Sequence, residues 1–369
     1  MGKKRDDIYD VIVVGRDVAA AVAAWRAANL KANALLLEIG DPPRPDITLD
    51  WLGPRGVALC KECGVQAKRA DAAEFKEFRL RSWDLRRDSL IKDKTLAGWI
   101  VRRDALTAEL VRHASKEGVK TTSANVPSGV TLADDRVILR FADREEISGR
   151  FLLAAGAPTC PVATMANLIP AGRTRDVADG LFVEYETDAP AAALEAAIGA
   201  SRSGQIAVVL RHQQRVGLRL IARDCDEPIE RQFETFRAQA LECGLLPPGA
   251  PPQPQRRPSP GGAALDMDTH VGKRTLLLGA AGGFFSAFSH EELFPSMRSG
   301  WLAAEVAVKA LTEPLPQDAL GCYSAVWRQE LADYLRMPNT DLSLLAPLVF
   351  NNEQMSKRVA RAFLLGQPF

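Results

Sequence analysis

A glycine turn and a carboxylate are the residues of this chain whose types and spacing first indicate chemistry. Gly15 ends a short apolar run and opens an alanine-rich stretch, and Glu38 ends the next apolar run. Backbone N–H groups at the start of a helix bind phosphate. A carboxylate roughly 20 residues further on bonds the hydroxyl groups of a ribose. Together the two residues indicate a binding site for a dinucleotide.

The elements around these residues have the pattern of a βαβ unit. Residues 8–14 form a β-branched apolar run, which is typical of a strand buried on both faces of a parallel sheet. Residues 18–25 are rich in alanine and predict a helix that begins directly after the turn. Residues 34–38 predict a second strand. In such a unit the helix N-terminus faces the pyrophosphate and the carboxylate faces the ribose.

The turn itself departs from the three-glycine pattern of dinucleotide sites. Gly15 supplies the first glycine, but Asp17 replaces the second and Ala20 replaces the third. Alanine is tolerated at the third position, where helix and strand pack closely. An aspartate beside a pyrophosphate is electrostatically unfavourable unless Arg16 or an ordered water intervenes. Taken alone, the turn fits an ordinary βαβ unit without a nucleotide equally well.

The composition is typical of a soluble globular protein: 369 residues, 47% hydrophobic and 25% charged, with a formal net charge of +1. No global positive field favours nucleic acid as a partner. No apolar run approaches a membrane span, and the N-terminal stretch resembles neither a signal nor a transit peptide. We therefore expect no integral membrane segment and a cytoplasmic protein. Cys60 and Cys63 are the one close cysteine pair, and their surroundings favour neighbouring positions on a helix over a metal site.

The same α/β pattern returns further along the chain. A strand at 151–154 runs into Gly156, and a later strand at 274–278 runs into Gly279, a loop and a long helix at 293–311. The residues between these two strands are rich in short strand patterns and polar turns. We therefore expect an α/β fold with a discontinuous Rossmann-type domain at 1–160 and 266–315, an inserted, mainly antiparallel α+β substrate domain at 161–265, and a helical C-terminal segment at 316–369.

Four stretches resemble the FAD-dependent family that contains the geranylgeranyl reductases and the monooxygenases of the p-hydroxybenzoate hydroxylase fold. They are the Gly15 turn with Glu38, the helix start at Arg103, the strand into Gly156, and the Gly279 loop before a helix with Ser299-Gly300 and Ala303-Ala304. The resemblance covers nearly the whole chain. It implies an FAD-dependent oxidoreductase that passes hydride or electrons through the flavin N5 to an apolar or aromatic small molecule. NAD(P)H is a candidate electron donor, and the oligomeric state stays open.

The resemblance also implies roles for individual residues. Arg103 would lie near the phosphates and the adenosine end, with Arg102 as the alternative in the neighbouring register. His290 and Glu291 are the predicted catalytic residues, close to the flavin ring as acid, base or orienting groups; a histidine satisfied within the loop is an equal alternative for His290. The predicted cofactor-binding residues are Gly15, Arg16, Ala20, Glu38, Arg103, Gly156, Gly279, Ala280, Gly282, Ser289 and Glu292.

The departures from the family pattern all weaken cofactor contacts. Asp17 replaces a glycine, and Ala280 replaces an aspartate that accepts a ribityl hydroxyl. His290 and Glu292 replace the two glycines of a Gly-Glu-Gly sequence. Each lost hydrogen bond costs about 1 kcal/mol. The alternative hypothesis is therefore a relative that keeps the fold, binds FAD weakly or not at all, and acts as a binding protein.

Two other enzyme classes explain the sequence less well. A dehydrogenase that uses NAD(P) without flavin would not account for the late Gly279 loop and its helix. A flavin halogenase is disfavoured because the chain has no Trp-x-Trp-x-Ile-Pro segment. Phe284, Phe285 and Phe288 fit the lining of a flavin or substrate cavity, but core packing between the loop and the middle domain is the simpler interpretation.

Overall fold

The computed structural model describes residues 8–39, 48–169, 178–188, 191–198, 205–222, 227–249, 252–259, 261–338 and 342–368. The predicted βαβ unit is present at the start of this part of the chain. It consists of β1 (Tyr9–Val14), α1 (Val18–Asn29) and β2 (Ala34–Ile39). Residues 11–14 of β1 are fully buried, as expected for a strand covered on both faces.

The remaining strands and helices follow in chain order. The first group is β3 (Leu49–Leu52), α2 (Pro54–Glu62), β4 (Ala72–Phe75), β5 (Phe78–Ser82), β6 (Asp88–Ile91), β7 (Gly98–Arg102), α3 (Arg103–Lys116), β8 (Lys120–Ala124), β9 (Gly129–Leu132), β10 (Val137–Arg140), β11 (Ile147–Ala154) and α4 (Pro161–Met165). The middle group is β12 (Ala178–Glu186), β13 (Ala193–Ile198), β14 (Ile206–His212), β15 (Arg215–Ala222), α5 (Ile229–Glu242) and β16 (Gln255–Ser259). The last group is β17 (Val271–Gly272), β18 (Thr275–Leu277), α6 (Leu293–Ala310), α7 (Pro316–Gly321), α8 (Tyr323–Leu335), α9 (Leu342–Val349) and α10 (Glu353–Leu365).

The first sheet has the strand order β17-β18-β11-β1-β2-β8, and the strands from β18 to β8 run parallel. β1 has β2 on one side and β11 on the other, so the direction of winding changes at β1. In open α/β sheets, ligands bind at the carboxyl ends of the strands beside such a switch point. The turns after β1, β11 and β18 contain Gly15, Gly156 and Gly279, so these three turns meet at that crevice.

Helix α6 crosses α1 at a very short distance. A Cβ added to Gly300 of α6 would lie 2.4 Å from the carbonyl oxygen of Ala19 in α1. Gly300 therefore allows the two backbones to touch. Ala303 and Ala304, one turn further along α6, are fully buried as well. The small residues of this helix thus have a packing role that fixes α6 against the start of α1.

The second sheet has the order β16-β12-β15-β14-β13-β5-β6, and only β13 and β5 pair in parallel. Helix α5 covers one face through Phe233 and Phe236, and α10 packs on the other. A small third sheet has the order β3-β7-β4. Because β5 and β6 come from residues 78–91, the second sheet joins strands from both sides of the boundary predicted at residue 160. The domain boundaries stay a prediction.

β13 is a strand that the sequence pattern did not indicate. Its residues are mostly alanine, leucine and glutamate, which favour helix over strand. β13 pairs over its whole length with β14 on one side and over most of it with β5 on the other. Pairing with distant strands therefore outweighs the local preference of these residues.

The C-terminal helices pack against two different parts of the molecule. Tyr323 of α8 is fully buried, and its hydroxyl donates to the carbonyl oxygen of Ser299 in α6 at 3.2 Å. Phe363 of α10 stacks on Trp51 and Phe78, with ring centroids 6.2 and 5.1 Å away. None of the described helices is both long and apolar enough to cross a membrane.

Candidate functional site

The three glycine turns are in direct contact at the crevice. The φ angles of Gly15, Gly156 and Gly279 are 150°, 109° and 62°, in the region that favours glycine. A Cβ on Gly279 would lie 2.7 Å from the Cβ of Ala19, and a Cβ on Gly15 would lie 3.1 Å from the Cβ of Ala155. The structure therefore brings these three predicted residues together and leaves no room for a side chain on Gly15 or Gly279.

The carboxylate of Asp17 lies where these turns meet. Asp17 is the N-cap of α1, and its Oδ1 accepts a hydrogen bond from the N–H of Ala20 at 2.8 Å. Its Oδ2 accepts one from the N–H of Gly156 at 3.0 Å and would be 3.6 Å from a Cβ on Gly279. Burial raises the pKa of Asp17, and the two hydrogen bonds oppose that rise only in part. An internal carboxylate thus holds N–H groups that the sequence assigns to a pyrophosphate.

Arg103 forms a two-bond ion pair with Glu292 of the last loop. Its Nη1 donates to Glu292 Oε1 at 3.1 Å, and its Nη2 donates to Oε2 at 2.5 Å. Its Nε donates to Asp50 Oδ2 at 3.2 Å. Burial opposes the charge on Arg103, but Glu292 and Asp50 outweigh it, so the pKa of Arg103 is raised. Arg102, the alternative from the sequence, pairs instead with Asp104 at 2.5 Å.

A buried charge network continues from Arg103 to the second sheet. Asp50 of β3 is 2% exposed and also accepts a hydrogen bond from Nη1 of Arg219 in β15 at 2.9 Å. Burial works against ionisation of Asp50, but Arg219 and Arg103 outweigh it and lower its pKa. The Arg219 guanidinium also lies over Trp51 and Phe182, 5.3 Å from each ring centroid. The network therefore fixes the second sheet against the crevice.

Sequence reasoning missed Asp50 and Arg219. Asp50 is the one charged residue of a short strand whose four residues are all buried, and that contrast is a signal that could have marked it. Arg219 lies in β15, where an arginine among apolar residues is expected to face solvent. Its contact with Asp50 joins residues that are distant in the chain, so no local pattern reveals it.

Glu38 follows Leu37, whose carbonyl oxygen accepts a hydrogen bond from the N–H of Gly15 at 3.1 Å, so Glu38 lies beside the first glycine turn. Ser123 Oγ donates to Glu38 Oε2 at 3.3 Å, and Arg16 Nη2 donates to Ser123 Oγ at 3.2 Å. Glu38 is half-buried, so its carboxylate can accept further hydrogen bonds. Arg16 Nε is buried and has no hydrogen-bond partner within the described residues. The accessible carboxylate and the unpartnered donor both fit the ribose and phosphate of a dinucleotide.

The last loop begins with a tight turn of small residues. Residues 279–282 form one 3₁₀ turn, in which Ala280 is 6% exposed. The carbonyl oxygen of Gly282 lies 2.9 Å from Nε2 of the buried His270. Ser289 is fully buried, and its Oγ accepts a hydrogen bond from the N–H of Glu291 at 3.3 Å. Gly282 and Ser289 therefore hold the loop itself, and their contact with a cofactor stays a prediction.

The three phenylalanines of the loop are buried. Phe284 packs edge-on against Trp327 of α8, with ring centroids 5.2 Å apart. Phe288 packs edge-on against Phe363 of α10 at 5.7 Å. These contacts favour the core-packing interpretation for both residues.

His290 has a left-handed backbone with a φ of 55°, at a position where the family that the sequence resembles has glycine. Histidine tolerates this conformation better than most residues with a side chain. Its Nδ1 lies 2.9 Å from Oγ of the buried Ser259 in β16, and a Cβ on Gly261 would lie 3.0 Å from the same nitrogen. These contacts favour the interpretation of a histidine satisfied within the protein, while its catalytic role stays a prediction.

Glu291 is fully buried and connects the loop to α8. The Tyr334 hydroxyl donates to its Oε2, and the N–H of Gly53 donates to its Oε1 at 3.4 Å. Burial raises the pKa of Glu291 to about 8, although these hydrogen bonds act in the opposite direction. Glu291 therefore carries a proton at neutral pH, which is the form a general acid requires.

Stability should fall with rising pH because of Glu291. The folded state keeps the proton up to a pKa of about 8, whereas an unfolded glutamate loses it near its ordinary value of 4.5. The folded state thus binds more protons between these values, and its stability decreases as pH rises. Between about pH 6 and about pH 8, the free energy of unfolding measured with urea should fall by about 2 kcal/mol more in wild type than in Glu291→Gln. Equal losses in both proteins would contradict the raised pKa.

FAD fits the residues near Glu38 and Arg16, which have free hydrogen-bonding capacity, better than the groups where the three turns meet, which already have partners. We call the N–H groups of Ala20 and Gly156 and the Arg103 guanidinium the phosphate cradle. In this structure Asp17 and Glu292 bond all three groups. Two like charges about 4 Å apart repel by about 4 kcal/mol at an effective dielectric constant of about 20. A pyrophosphate would therefore compete with the carboxyl groups of Asp17 and Glu292 for the donors of the cradle.

The sequence matches no known family model and no curated protein. Solved structures do match. A geranylgeranyl bacteriochlorophyll reductase-like protein from Thermoplasma acidophilum is 16% identical, with 97% of this chain and 96% of that chain covered and a TM-score of 0.74. The flavin-dependent brominase Bmp2 is 16% identical, with 97% and 93% covered and a TM-score of 0.72. CtdE, solved with FAD and a substrate, is 12% identical, with 98% and 95% covered and a TM-score of 0.70.

These similarities extend over nearly the whole chain. They confirm the predicted fold class and agree with the resemblance to FAD-dependent oxidoreductases. At such low identity they establish the fold and leave the activity to the residues of the site. The reductase-like protein and the brominase match about equally well, so the fold does not select between their chemistries. The chain therefore has the fold of these solved structures, and its own carboxyl groups bond the donors of the cradle.

Proposed function

We propose that this protein is an FAD-dependent oxidoreductase that acts on a small-molecule substrate. The observation that carries the proposal is the meeting of the Gly15, Gly156 and Gly279 turns at the switch point of the first sheet. The same fold occurs in a structure solved with FAD and substrate and in a reductase-like protein. FAD would supply the redox chemistry, and the protein would bind it and orient the substrate.

Two residues of the adenosine end support binding of the nucleotide. Glu38 would accept hydrogen bonds from ribose hydroxyls, because its carboxylate is accessible and Ser123 already orients one of its oxygens. Arg16 would donate its unpartnered Nε to a phosphate or ribose oxygen. Both groups lie beside the turn at Gly15, so one extended ligand could reach them and the crevice.

We infer an apolar or aromatic substrate, as the resemblance to geranylgeranyl reductases implies. His290 and Glu291 would hold or move a proton beside the loop, Glu291 from its protonated form. NAD(P)H as electron donor remains part of the proposal.

Glu38→Ala tests the nucleotide end of the proposal. Charge-assisted hydrogen bonds contribute about 1.5–3 kcal/mol each, so loss of the carboxylate should weaken FAD binding at least tenfold, or about 1.4 kcal/mol. Quenching of flavin fluorescence during a titration measures the change. Glu146→Ala removes an exposed carboxylate that pairs with Arg140 and should bind FAD like wild type. Equal affinity in wild type and Glu38→Ala would place the nucleotide elsewhere.

A second candidate function is a binding protein that keeps the fold without FAD. The bonds of Asp17 and Glu292 to the phosphate cradle favour it, since they satisfy these groups in the absence of a ligand. The accessible carboxylate of Glu38 and the unpartnered donor of Arg16 favour the first candidate. FAD binding by the purified chain discriminates between the two.

A further inference from the structure

We propose that Asp17 and Glu292 are internal ligands of the phosphate cradle, so that FAD enters only in exchange for these carboxylates and is held as an exchangeable ligand. This inference rests on the proposed function and concerns how the same site controls its cofactor. The reasons lie in the positions of the two residues, the groups they bond, and the small movement that would release them.

The Asp17 carboxyl group occupies the position at the start of α1 that a phosphate of the dinucleotide would take. Its two oxygens accept the N–H groups of Ala20 and Gly156, one from the helix N-terminus and one from the turn after β11. A phosphate oxygen at a dinucleotide site would need the same N–H groups. The Cβ that Gly279 lacks would lie 3.6 Å from Asp17 Oδ2, so the carboxylate fills the space between all three turns. A pyrophosphate can reach these N–H groups only after the Asp17 side chain leaves them.

The Glu292 carboxylate occupies the position at the Arg103 guanidinium that a phosphate of the dinucleotide would take. Its carboxylate takes two guanidinium nitrogens, in the fork geometry that a phosphate would use. The φ of Glu292 is −106°, so a side chain is accommodated there without strain. Asp50 bonds the remaining nitrogen, Nε, and would keep Arg103 in place if Glu292 moved away. Arg103 is therefore preset to exchange one anion for another.

The two carboxylates belong to one electrostatic unit. Burial, and to a smaller extent the nearby Glu292, raise the pKa of Asp17, whereas Arg103, which bonds Glu292, acts in the opposite direction. Release needs only side-chain rotation, since neither residue makes these bonds through its backbone. Phosphates would recover the bonds that rotation gives up. The free energy of the bonds lost by the carboxyl groups is thus close to that of the bonds formed by the phosphates. We therefore expect FAD binding that is weak and reversible.

The test is an FAD titration of wild type, Asp17→Ser, Glu292→Gln and the double variant, followed by quenching of flavin fluorescence. Serine is as good an N-cap as aspartate, so α1 keeps its cap while the charge is removed. Glutamine can still accept a hydrogen bond from Arg103. Each single variant should bind FAD about tenfold more tightly than wild type, and the double variant more tightly still. After gel filtration the double variant should retain FAD that wild type loses.

Two controls separate this effect from a general one. Riboflavin has no pyrophosphate, so its affinity should be the same in all four proteins. Glu146→Gln removes an exposed negative charge far from the cradle in the fold and should leave FAD affinity unchanged. Circular dichroism checks that each variant is folded, and Glu292→Gln tests the inference alone if Asp17→Ser does not fold.

The outcomes distinguish the inference from the proposed function. FAD affinities that are equal in wild type and all variants would overturn the inference and leave the proposed function standing. FAD retained by wild type through gel filtration would also overturn it. Failure of both the wild type and the folded double variant to bind FAD would overturn the proposed function, and the inference with it.

Discussion

Phe363→Ala is expected to lower the free energy of unfolding by about 3–5 kcal/mol. Phe363 is 1% exposed on α10 and packs on three aromatic rings, those of Trp51, Phe78 and Phe288. These rings belong to the third sheet, the second sheet and the last loop. Truncation of Phe363 would leave a cavity between the third sheet, the second sheet and the last loop. The surrounding rings belong to different elements, so they cannot all move to fill it. Urea unfolding followed by circular dichroism measures the loss.

Two control variants make the Phe363 prediction specific. Phe363→Leu retains much of the apolar volume and should cost clearly less than Phe363→Ala. Leu315→Ala changes a residue that is 66% exposed and should alter stability by about 0.5 kcal/mol or less. A loss as small in Phe363→Ala as in Leu315→Ala would show that α10 is not packed as described.

Arg219→Met is expected to destabilise the protein by about 3 kcal/mol, the lower end of the range for breaking a buried ion pair. Arg219 pairs with Asp50, and the exposed fractions of their side chains are 11% and 3%. Without Arg219, the buried carboxylate keeps only its ion pair with Arg103 among the ion pairs of the described residues, and Arg103 is shared with Glu292. The contact of the guanidinium with Trp51 would be lost as well. Chemical unfolding in low and high salt measures the change, which should depend little on salt because the pair is buried.

A double-mutant cycle isolates the Arg219 pair. Arg219→Met combined with Asp50→Asn should cost less than the sum of the two single variants, because the double variant buries no unpaired charge at this position. Arg140→Met breaks an ion pair with Glu146 in which both side chains are more than half exposed, and should cost at most about 1 kcal/mol. Additive effects in the cycle would contradict the proposed network.

The first sheet could be predicted from the sequence because its signals are local. The apolar run before Gly15, the alanine-rich helix and the strand ending near Glu38 each fall within one short segment. For the second sheet the sequence predicted a mainly antiparallel arrangement, but not which strands pair. Its strands β5 and β13 pair across a large separation in the chain, and the residues of β13 favour helix. Such pairing depends on tertiary contacts that no local periodicity records.

In the candidate site, too, the sequence indicated which residues are unusual, but not which distant residues they contact. The unfavourable charge at Asp17 was evident from the turn, and the structure adds that this charge is bonded by Ala20 and Gly156. Glu292 was recognised as a replaced glycine, but its pairing with Arg103 joins the last loop to α3. The sequence therefore located the altered positions, whereas only the fold shows that their carboxylates meet the cradle.

The partner of Glu291 was likewise beyond sequence reasoning. Glu291 was predicted as a catalytic residue from its place in the loop, but nothing nearby in the chain indicates Tyr334 of α8 as its hydrogen-bond donor. Burial of Glu291 raises its pKa to about 8, against the effect of the Tyr334 hydrogen bond. Charge state at such positions depends on the assembled core rather than on neighbours in the sequence.

Titration of the purified protein with FAD is the most direct test of the central claim, that this chain binds FAD as we propose. Flavin fluorescence and the visible absorption spectrum report binding independently. We predict saturable quenching, a shifted flavin spectrum, and loss of the bound FAD on dialysis, since Asp17 and Glu292 compete with its phosphates for Ala20, Gly156 and Arg103. Fluorescence and absorption that stay those of free FAD at every protein concentration would contradict the account.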